Sequence, residues 1–141
     1  HSCDRVYQAV VYGRMKEPEG RVDAPIGRNP LERKEMCVTA KNSKEAVTNY
    51  RVLQEYEGFS HLELRLETGR THQIRVHMAY LGHPVAGDPV YGPKKVIKSL
   101  EGQCLHAKSI AFDHPVTGER MRFDSELPAY FTDFLRTLRP L

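Results

Sequence analysis

Apolar and polar residues alternate along several stretches of the chain, a pattern typical of β-strands that have one buried face. The alternation is clearest over 59–67, where Leu62, Leu64 and Leu66 are separated by charged side chains. Runs rich in β-branched and aromatic residues predict five further strands, over 5–12, 35–40, 46–56, 104–112 and 119–124. Gly58 lies between two of these segments and predicts a hairpin turn.

Two segments follow the 3.6-residue period of a helix instead. Between Thr71 and Leu81 the apolar residues Ile74, Met78 and Leu81 recur on one stripe, which predicts an amphipathic helix. A shorter helix is predicted around 128–138, with aromatic side chains that can pack on the sheet. The expected fold class is α+β, with a largely antiparallel mixed sheet and a few helices.

Residues 14–34 are rich in proline, glycine and charged side chains. We interpret them as a long exposed loop with a short strand near Val22, because such a composition disfavours regular structure. A second Gly/Pro-rich loop is predicted over 83–93, and a small basic cluster follows it at Lys94, Lys95 and Lys98.

Length and composition narrow the class of protein. The chain has 141 residues, of which 40% are hydrophobic and 28% charged, so we expect one globular domain rather than a disordered or collagen-like chain. A formal net charge of +3 neither requires nor excludes a nucleic-acid partner. The three cysteines form no CxxC pair and are typical of reduced thiols in a cytoplasmic protein. No apolar run approaches the ~18 residues of a membrane span, so no membrane partner is expected.

The densest chemical feature is the segment TGRTHQIRVH at 68–77. We expect a strand to end at Thr68 and Gly69 and a helix to begin with Arg70 and Thr71. Unpaired backbone N–H groups at a helix start, together with an arginine, suit a carboxylate or a phosphate. The alternative is that Thr71 merely caps the helix and the Arg and His residues form a solvated face.

Other chemistries lack a sequence basis. His72 and His77 are five residues apart rather than four, and no cysteine pair supports a metal site, so no metal is predicted. The chain contains no GxSxG elbow, no GxGxxG turn and no GxxxxGK[ST] loop. The residues alone therefore indicate an α+β domain with one anion-binding junction, and they do not indicate a reaction.

Five segments together resemble the RluA/RluD-type RNA pseudouridine synthases. The most specific is LETGRTHQIRVHMAYLGHPVAGDPVYG at 66–92. The others are RVYQAVVYG at 5–13, DAPIGRNPLERKEM at 23–36, AVTNYRVL at 46–53 and LHAKSIAFDHPVTGE at 105–119. The resemblance covers nearly the whole chain.

The resemblance implies an isomerase that converts uridine in ribosomal or transfer RNA to pseudouridine without a cofactor. Its nucleophile is an aspartate in an R-L-D-x-x-T-S-G motif. Arg70 would pair with that aspartate and keep it ionised, and Tyr7 would stack on the target base. The RNA contacts expected on this basis are Arg28, His72, Gln73, Arg75, His77, Lys94 and Lys95.

The R-L-D-x-x-T-S-G motif does not occur in the 141 residues. We therefore expect residues 1–141 to be the C-terminal part of a single catalytic domain and to be inactive alone. The alternative is a non-catalytic RNA-binding remnant of the same fold. The sequence predicts no particular oligomeric state.

Overall fold

The computed structural model describes residues 3–95 and 97–141 of the chain. These residues form nine strands and two helices. The strands are β1 (Cys3–Tyr12), β2 (Glu19–Asp23), β3 (Ile26–Arg28), β4 (Met36–Val38), β5 (Ser43–Lys44), β6 (Val47–Tyr56), β7 (Phe59–Leu66), β8 (Leu105–Asp113) and β9 (Arg120–Asp124). The helices are α1 (Gln73–Tyr80) and α2 (Ala129–Arg136).

Six of the strands form one sheet in the order β2-β6-β7-β1-β8-β9, and β4, β3 and β5 form a second, small sheet. All the described pairings are antiparallel. The hairpin between β6 and β7 turns at Gly58, whose φ of 82° is a conformation that glycine adopts without steric cost. The α+β fold class with a largely antiparallel sheet is confirmed.

The two helices lie against opposite faces of the large sheet. Successive strand residues point to opposite faces, so Ala9 packs in one core with Ile74 of α1 while Val10 packs in the other with Phe131 of α2. Both helices have eight residues. Neither helix in the described part of the chain is long and apolar enough to cross a membrane.

The prediction of a long exposed loop over 14–34 is wrong for its central part. Strands β2 and β3 lie within it, and Val22, Ala24 and Ile26 are buried. Val22 and Ala24 join the core beneath α1, and Ile26 packs with Val76. The short strand expected near Val22 is confirmed, and β2 forms one edge of the large sheet.

The prediction of a helix with one buried stripe and one solvated face is also wrong. Six consecutive residues of α1, from Gln73 to Met78, are buried. The apolar stripe lies on the large sheet, while Val76 faces Ile26 of the small sheet and Arg75 contacts Asp88 in the loop after the helix. The helix is therefore covered on two sides, and its polar residues are interior residues.

A buried histidine on the α2 face makes stability depend on pH. Burial lowers the pKa of His61 to about 4, and its Nε2 lies 2.8 Å from Oε1 of Gln8. A base with a lowered folded-state pKa stabilises the fold fully above its unfolded value near 6.5 and progressively less as the pH falls towards 4. We expect His61 to account for a loss of up to about 3 kcal/mol between pH 7 and pH 4.

Urea unfolding of the wild-type chain and of His61→Leu across this pH range measures the effect. The variant retains an apolar side chain beside Phe131, whose ring centroid lies 5.4 Å from that of His61. Its stability is expected to fall less steeply with acid than that of the wild type. Parallel pH profiles for the two proteins would contradict the assignment.

Candidate functional site

A cleft of about 340 Å³ opens where the start of β1 and the end of β7 approach α1. We call it the Tyr7–Arg70 cleft; its lining residues are Tyr7, Leu66, Arg70, His72, Gln73, Ile74, Arg75, Gln103 and Leu105. Tyr7 lies on β1 beside a register shift, where Val6 pairs with Ser109 but Tyr7 pairs with Ala107. Lys108 is therefore an extra residue of β8 opposite Tyr7, and such bulges change the direction of neighbouring side chains.

Arg70 lies in the turn between β7 and α1, not on the helix. Its Nε donates to the carbonyl oxygen of Glu45 at 2.6 Å, and its backbone N–H donates to Oε1 of Gln73 at 2.9 Å. The prediction that the helix begins at Arg70 and Thr71 is wrong, because α1 begins at Gln73 after His72, whose φ is 55°. The alternative of Thr71 as the cap is also wrong, since the N-cap is His72 without a side-chain bond.

Gln73 fixes the turn that carries Arg70. Its Nε2 donates to the carbonyl oxygen of Val47 and to Oγ1 of Thr48, both at 2.9 Å. Its Oε1 accepts from the Arg70 N–H and from Oγ1 of Thr68, the latter at 2.8 Å. Both donors and both acceptor positions of the amide are used, so the side chain has one orientation. The turn at 68–70 is thereby tied to the start of β6.

The network continues into the core through His77. Its Nε2 lies 2.9 Å from the carbonyl oxygen of Ala24, which can only accept, so Nε2 carries a proton. Its Nδ1 lies 2.8 Å from Oγ1 of Thr48 and accepts that hydroxyl proton when the ring is neutral. Burial lowers the pKa of His77, against the Ala24 hydrogen bond that raises it, so the neutral ring is favoured.

A second network links α1 to the loop after it. Arg75 donates through Nε and Nη2 to the two carboxylate oxygens of Asp88, at 2.8 and 2.9 Å. Asp88 also accepts the backbone N–H groups of Val90 and Tyr91. Burial opposes ionisation of Asp88, but these hydrogen bonds outweigh it and lower its pKa. The guanidinium of Arg75 also lies 5.1 Å from the Tyr91 ring centre, a cation–π distance.

Tyr91 connects this second network to the Tyr7–Arg70 cleft. Its hydroxyl oxygen accepts the Met36 N–H at 3.0 Å and lies 2.8 Å from Nδ1 of His72. Burial and the charge of Arg75 lower the pKa of His72, so its neutral ring can accept the tyrosine proton. His72 is therefore held at the cleft wall by the loop that Asp88 organises.

The lining of the Tyr7–Arg70 cleft has an excess of positive charge. Its lining includes the guanidinium of Arg70, which no described carboxylate neutralises, and that of Arg75, which Asp88 neutralises from behind; none of the described lining residues is acidic. A neighbouring cleft of about 370 Å³, the Arg28 groove, is lined by Arg28, Lys44 and Arg70 together with Ile26, Gly27, Met36, Asn42, Gly69 and Thr71. The two clefts share Arg70 and are suited to oxyanions such as carboxylates and phosphates.

The predicted site residues separate into three groups. Tyr7, Arg70 and His72 line one cleft, and Arg28 lines the groove beside it. Lys94 and Lys95 are exposed and are not among the lining residues of either cleft. Interior positions are occupied by Gln73, Arg75 and His77.

The expectation that Gln73, Arg75 and His77 contact RNA directly needs correction. Their exposed fractions are 3%, 8% and 0%, and their polar atoms bond to other parts of the chain. A buried side chain whose hydrogen bonds are already made offers a ligand little surface, even where it forms part of the cleft wall as Gln73 and Arg75 do. These three residues instead position the turn and the loop that form the cleft.

Two basic residues near the cleft were missed. Lys44 belongs to the two-residue strand β5, which the sequence pattern did not predict. Arg5 lies two residues before Tyr7 on β1, on the same strand face. The period of two was the available signal for Arg5, because it places residues 5 and 7 side by side.

No group of three His, Cys, Asp or Glu side chains within residues 3–95 and 97–141 is arranged to hold a metal ion. The three cysteines are free thiols. Burial raises the pKa of the Cys104 thiol to about 12, so it is no nucleophile at neutral pH. The described polar groups of the cleft are therefore arginines, a histidine, amides and a tyrosine.

Comparison with known proteins adds to this geometry. Residues 1–80 match the family model described as RNA pseudouridylate synthase. The chain is 50% identical over 135 residues to the uncharacterized RNA pseudouridine synthase YlyB of Bacillus subtilis, covering 96% of this chain and 44% of that protein. It is 42% identical over 150 residues to ribosomal large subunit pseudouridine synthase D of Pseudomonas aeruginosa, covering 98% and 46%.

A solved structure agrees with the sequence relatives. Human RNA pseudouridylate synthase domain containing 1 superposes with a TM-score of 0.84 at 30% identity, covering 99% of this chain and 60% of that one. The chain spans less than half the length of the curated relatives named above.

Proposed function

Since the chain belongs to the RluA/RluD-type RNA pseudouridine synthase family, we propose that it is the C-terminal part of a catalytic domain that isomerises uridine in RNA. The observation that carries the proposal is the placement of Arg70 and Tyr7 in one cleft whose lining residues include no acid. A guanidinium paired with a carboxylate from another segment, and an aromatic ring for a flipped base, are the groups that this reaction needs.

The nucleophile would enter the cleft from outside the sequence described. The Arg70 guanidinium is anchored at Nε by Glu45, and no carboxylate in the described residues pairs with it. An opposite charge at ~4–6 Å stabilises the ionised form of a carboxylate, so Arg70 would keep an incoming aspartate nucleophilic at neutral pH. Gln73 and Glu45 hold the arginine in place for this pairing.

The reaction exchanges one glycosidic bond for another. The bond between N1 of uracil and C1′ of ribose breaks, the base rotates in the pocket, and a bond forms between C5 and C1′. The proton lost from C5 is balanced by the one gained at N1, so the product is an isomer and no redox step occurs. Tyr7 would stack on the base while it is detached from the ribose and limit its escape.

RNA is the proposed partner, with ribosomal or transfer RNA as the substrate class and the cytoplasm as the location. The Arg28 groove supports this, because Arg28 and Lys44 continue the positive surface beyond Arg70. Lys94 and Lys95 are exposed and remain proposed phosphate contacts. The free thiols are consistent with a reducing compartment.

The test compares this chain with the longer protein that includes its upstream coding sequence. Each is incubated with transcribed large-subunit ribosomal RNA and with transfer RNA, and pseudouridine is detected by carbodiimide modification and primer extension. We expect pseudouridine from the longer protein and none from the chain alone. Activity of the chain alone would contradict an external nucleophile. Salt-dependent RNA binding by a longer protein that forms no pseudouridine would instead support a non-catalytic remnant.

A further inference from the structure

We propose that Arg5 is a second anion-binding residue of the site and that it holds a backbone phosphate of the RNA next to the nucleotide on Tyr7. The inference rests on the proposed function and adds to it a residue to which the family resemblance assigned no role. It starts from a buried polar atom: Nε of Arg5 is buried and has no hydrogen-bond partner in the described part of the chain.

Arg5 is incompletely satisfied within the described chain. On β1 it lies between Leu66 of β7 and Ile110 of β8, two apolar neighbours that offer it no side-chain acceptor. No carboxylate in residues 3–95 and 97–141 forms an ion pair with it. A half-buried guanidinium without a counter-ion lowers stability, and sites of this kind are found where a ligand supplies the missing charge.

The turn before Arg70 leaves room for this guanidinium. A Cβ placed on Gly69 would overlap Nη1 of Arg5, so a side chain at position 69 would displace the arginine head. Gly69 directly precedes Arg70, and the guanidinium of Arg5 therefore lies against the same turn that Gln73 fixes. Arg5 approaches the site from β1, and Arg70 approaches it from the turn between β7 and α1.

Arg5 lines its own cleft of about 280 Å³, the Arg5 cleft, on the β8 side of Tyr7. The other lining residues are Tyr7, Ala107, Lys108, Ser109, Ile110, Phe123, Asp124 and Ser125. Lys108 and Asp124 neutralise each other across 2.9 Å, which leaves Arg5 as the uncompensated charge of this lining. Tyr7 belongs to both the Arg5 cleft and the Tyr7–Arg70 cleft, so it stands between the two arginines.

This placement distinguishes the roles of the two arginines. Arg70 lies in the cleft with His72 and Gln73, where the proposed function needs the nucleophilic carboxylate. Arg5 and Tyr7 are two strand residues apart, roughly 7 Å, on one face of the sheet. A nucleotide whose base stacks on Tyr7 can thus reach Arg5 with an adjacent phosphate, and a guanidinium binds two phosphate oxygens at once.

The experiment uses the longer protein with Arg5→Gln, Arg5→Lys and the control Arg65→Gln. Arg65 pairs opposite Val6 on β7, so its side chain lies on the other face of the sheet, and the control removes the same charge one strand away. Binding of a short oligouridylate is measured over a series of salt concentrations, and turnover is measured on ribosomal RNA.

We expect Arg5→Gln to weaken oligouridylate binding about tenfold and to reduce the slope of log affinity against log salt by roughly one. KM should rise with kcat changed less than about twofold, since a phosphate contact acts equally in ground and transition states. Arg5→Lys should retain the salt slope but bind more weakly than the parent, and Arg65→Gln should behave like the parent. In the 141-residue chain on its own, Arg5→Gln should leave the midpoint temperature of thermal unfolding unchanged or raise it.

Four results would overturn the inference. An Arg5→Gln protein with the same salt slope as Arg65→Gln has lost no phosphate contact. If Arg5→Gln lowers kcat but leaves the salt slope unchanged, Arg5 pairs with a protein carboxylate. If Arg5→Gln lowers the midpoint temperature of unfolding, Arg5 has a structural role. If the parent binds RNA with an Arg5-dependent slope but forms no pseudouridine, the proposed function fails while the Arg5 site stands. A parent that binds no RNA overturns both.

Discussion

If the longer protein has the proposed activity, replacing Arg70 by alanine in it should lower turnover by about 10²–10³-fold, the range found when one preorganised charged or hydrogen-bonding partner is removed from an active site. The reason is that an incoming carboxylate would lose the guanidinium that keeps it ionised and oriented. The loss should fall on kcat, with RNA affinity reduced much less. Arg70→Lys should recover part of the rate, because it keeps the charge and lacks the two-pronged geometry.

Single-turnover rates and RNA affinity, measured side by side, separate these effects. Arg136→Ala is the matched control, because Arg136 is an exposed arginine of α2 that pairs with Asp133 on the other face of the sheet. Its rate should equal that of the parent. Because the Arg70 side chain bonds only to the Glu45 carbonyl among residues 3–95 and 97–141, Arg70→Ala should cost about 1 kcal/mol of stability. A near-normal rate in Arg70→Ala would contradict the role assigned to this residue.

The largest loss of stability should come from Asp88→Ala, about 3–5 kcal/mol in the free energy of unfolding. The substitution leaves the Arg75 side chain, which is 10% exposed, as a buried and unpaired charge. It also removes the acceptor for the N–H groups of Val90 and Tyr91. The free energy of unfolding of a domain of this size is about 5–15 kcal/mol, so the variant should be close to unfolding.

Urea titrations of the wild type and three variants test this expectation. Asp133→Ala removes a carboxylate from an exposed pair with Arg136 and should change stability by less than about 0.5 kcal/mol. The double variant Arg75→Met, Asp88→Ala should be more stable than Asp88→Ala, because it no longer buries an unpaired charge. A cost below about 1 kcal/mol for Asp88→Ala would show that the pair is not the main support of the loop.

Local sequence patterns predicted the individual strands and helices better than they predicted how these elements pack against one another. The alternation of Leu62, Leu64 and Leu66 depends on one sheet face, so a short window of sequence was enough for β7. The environment of α1 depends on a second sheet whose strands come from residues 26–44, far from the helix in sequence. No helical periodicity contains that information, and the buried positions of Arg75 and His77 were therefore missed.

The segment 14–34 illustrates the opposite error. Its prolines and charges suggested an exposed loop, yet Val22, Ala24 and Ile26 are spaced by two and all point inward. The alternation was present but was masked by the turn residues between them.

The site itself combines residues that are distant in sequence: Tyr7 and Arg70 are 63 positions apart and meet only because β1 pairs with β7. Their pairing in one site came from the family resemblance, and no local pattern could supply it.

The order of strands in the large sheet also has a consequence for the time at which the site appears. Among the described strands β1 leaves the ribosome first, and it pairs with β7 and β8 rather than with its neighbours in sequence. Tyr7 pairs with Ala107, a separation of 100 residues. At about 5–20 residues per second, translation takes roughly 5–20 s to reach that partner. During this interval the edge of β1 that later pairs with β8 has unpaired backbone groups, and the other edge is unpaired until β7 has been made. Pairings at such long range form slowly. Among the described strands β1 thus waits longest for its partners, and chaperones that shield extended strands have their longest opportunity there.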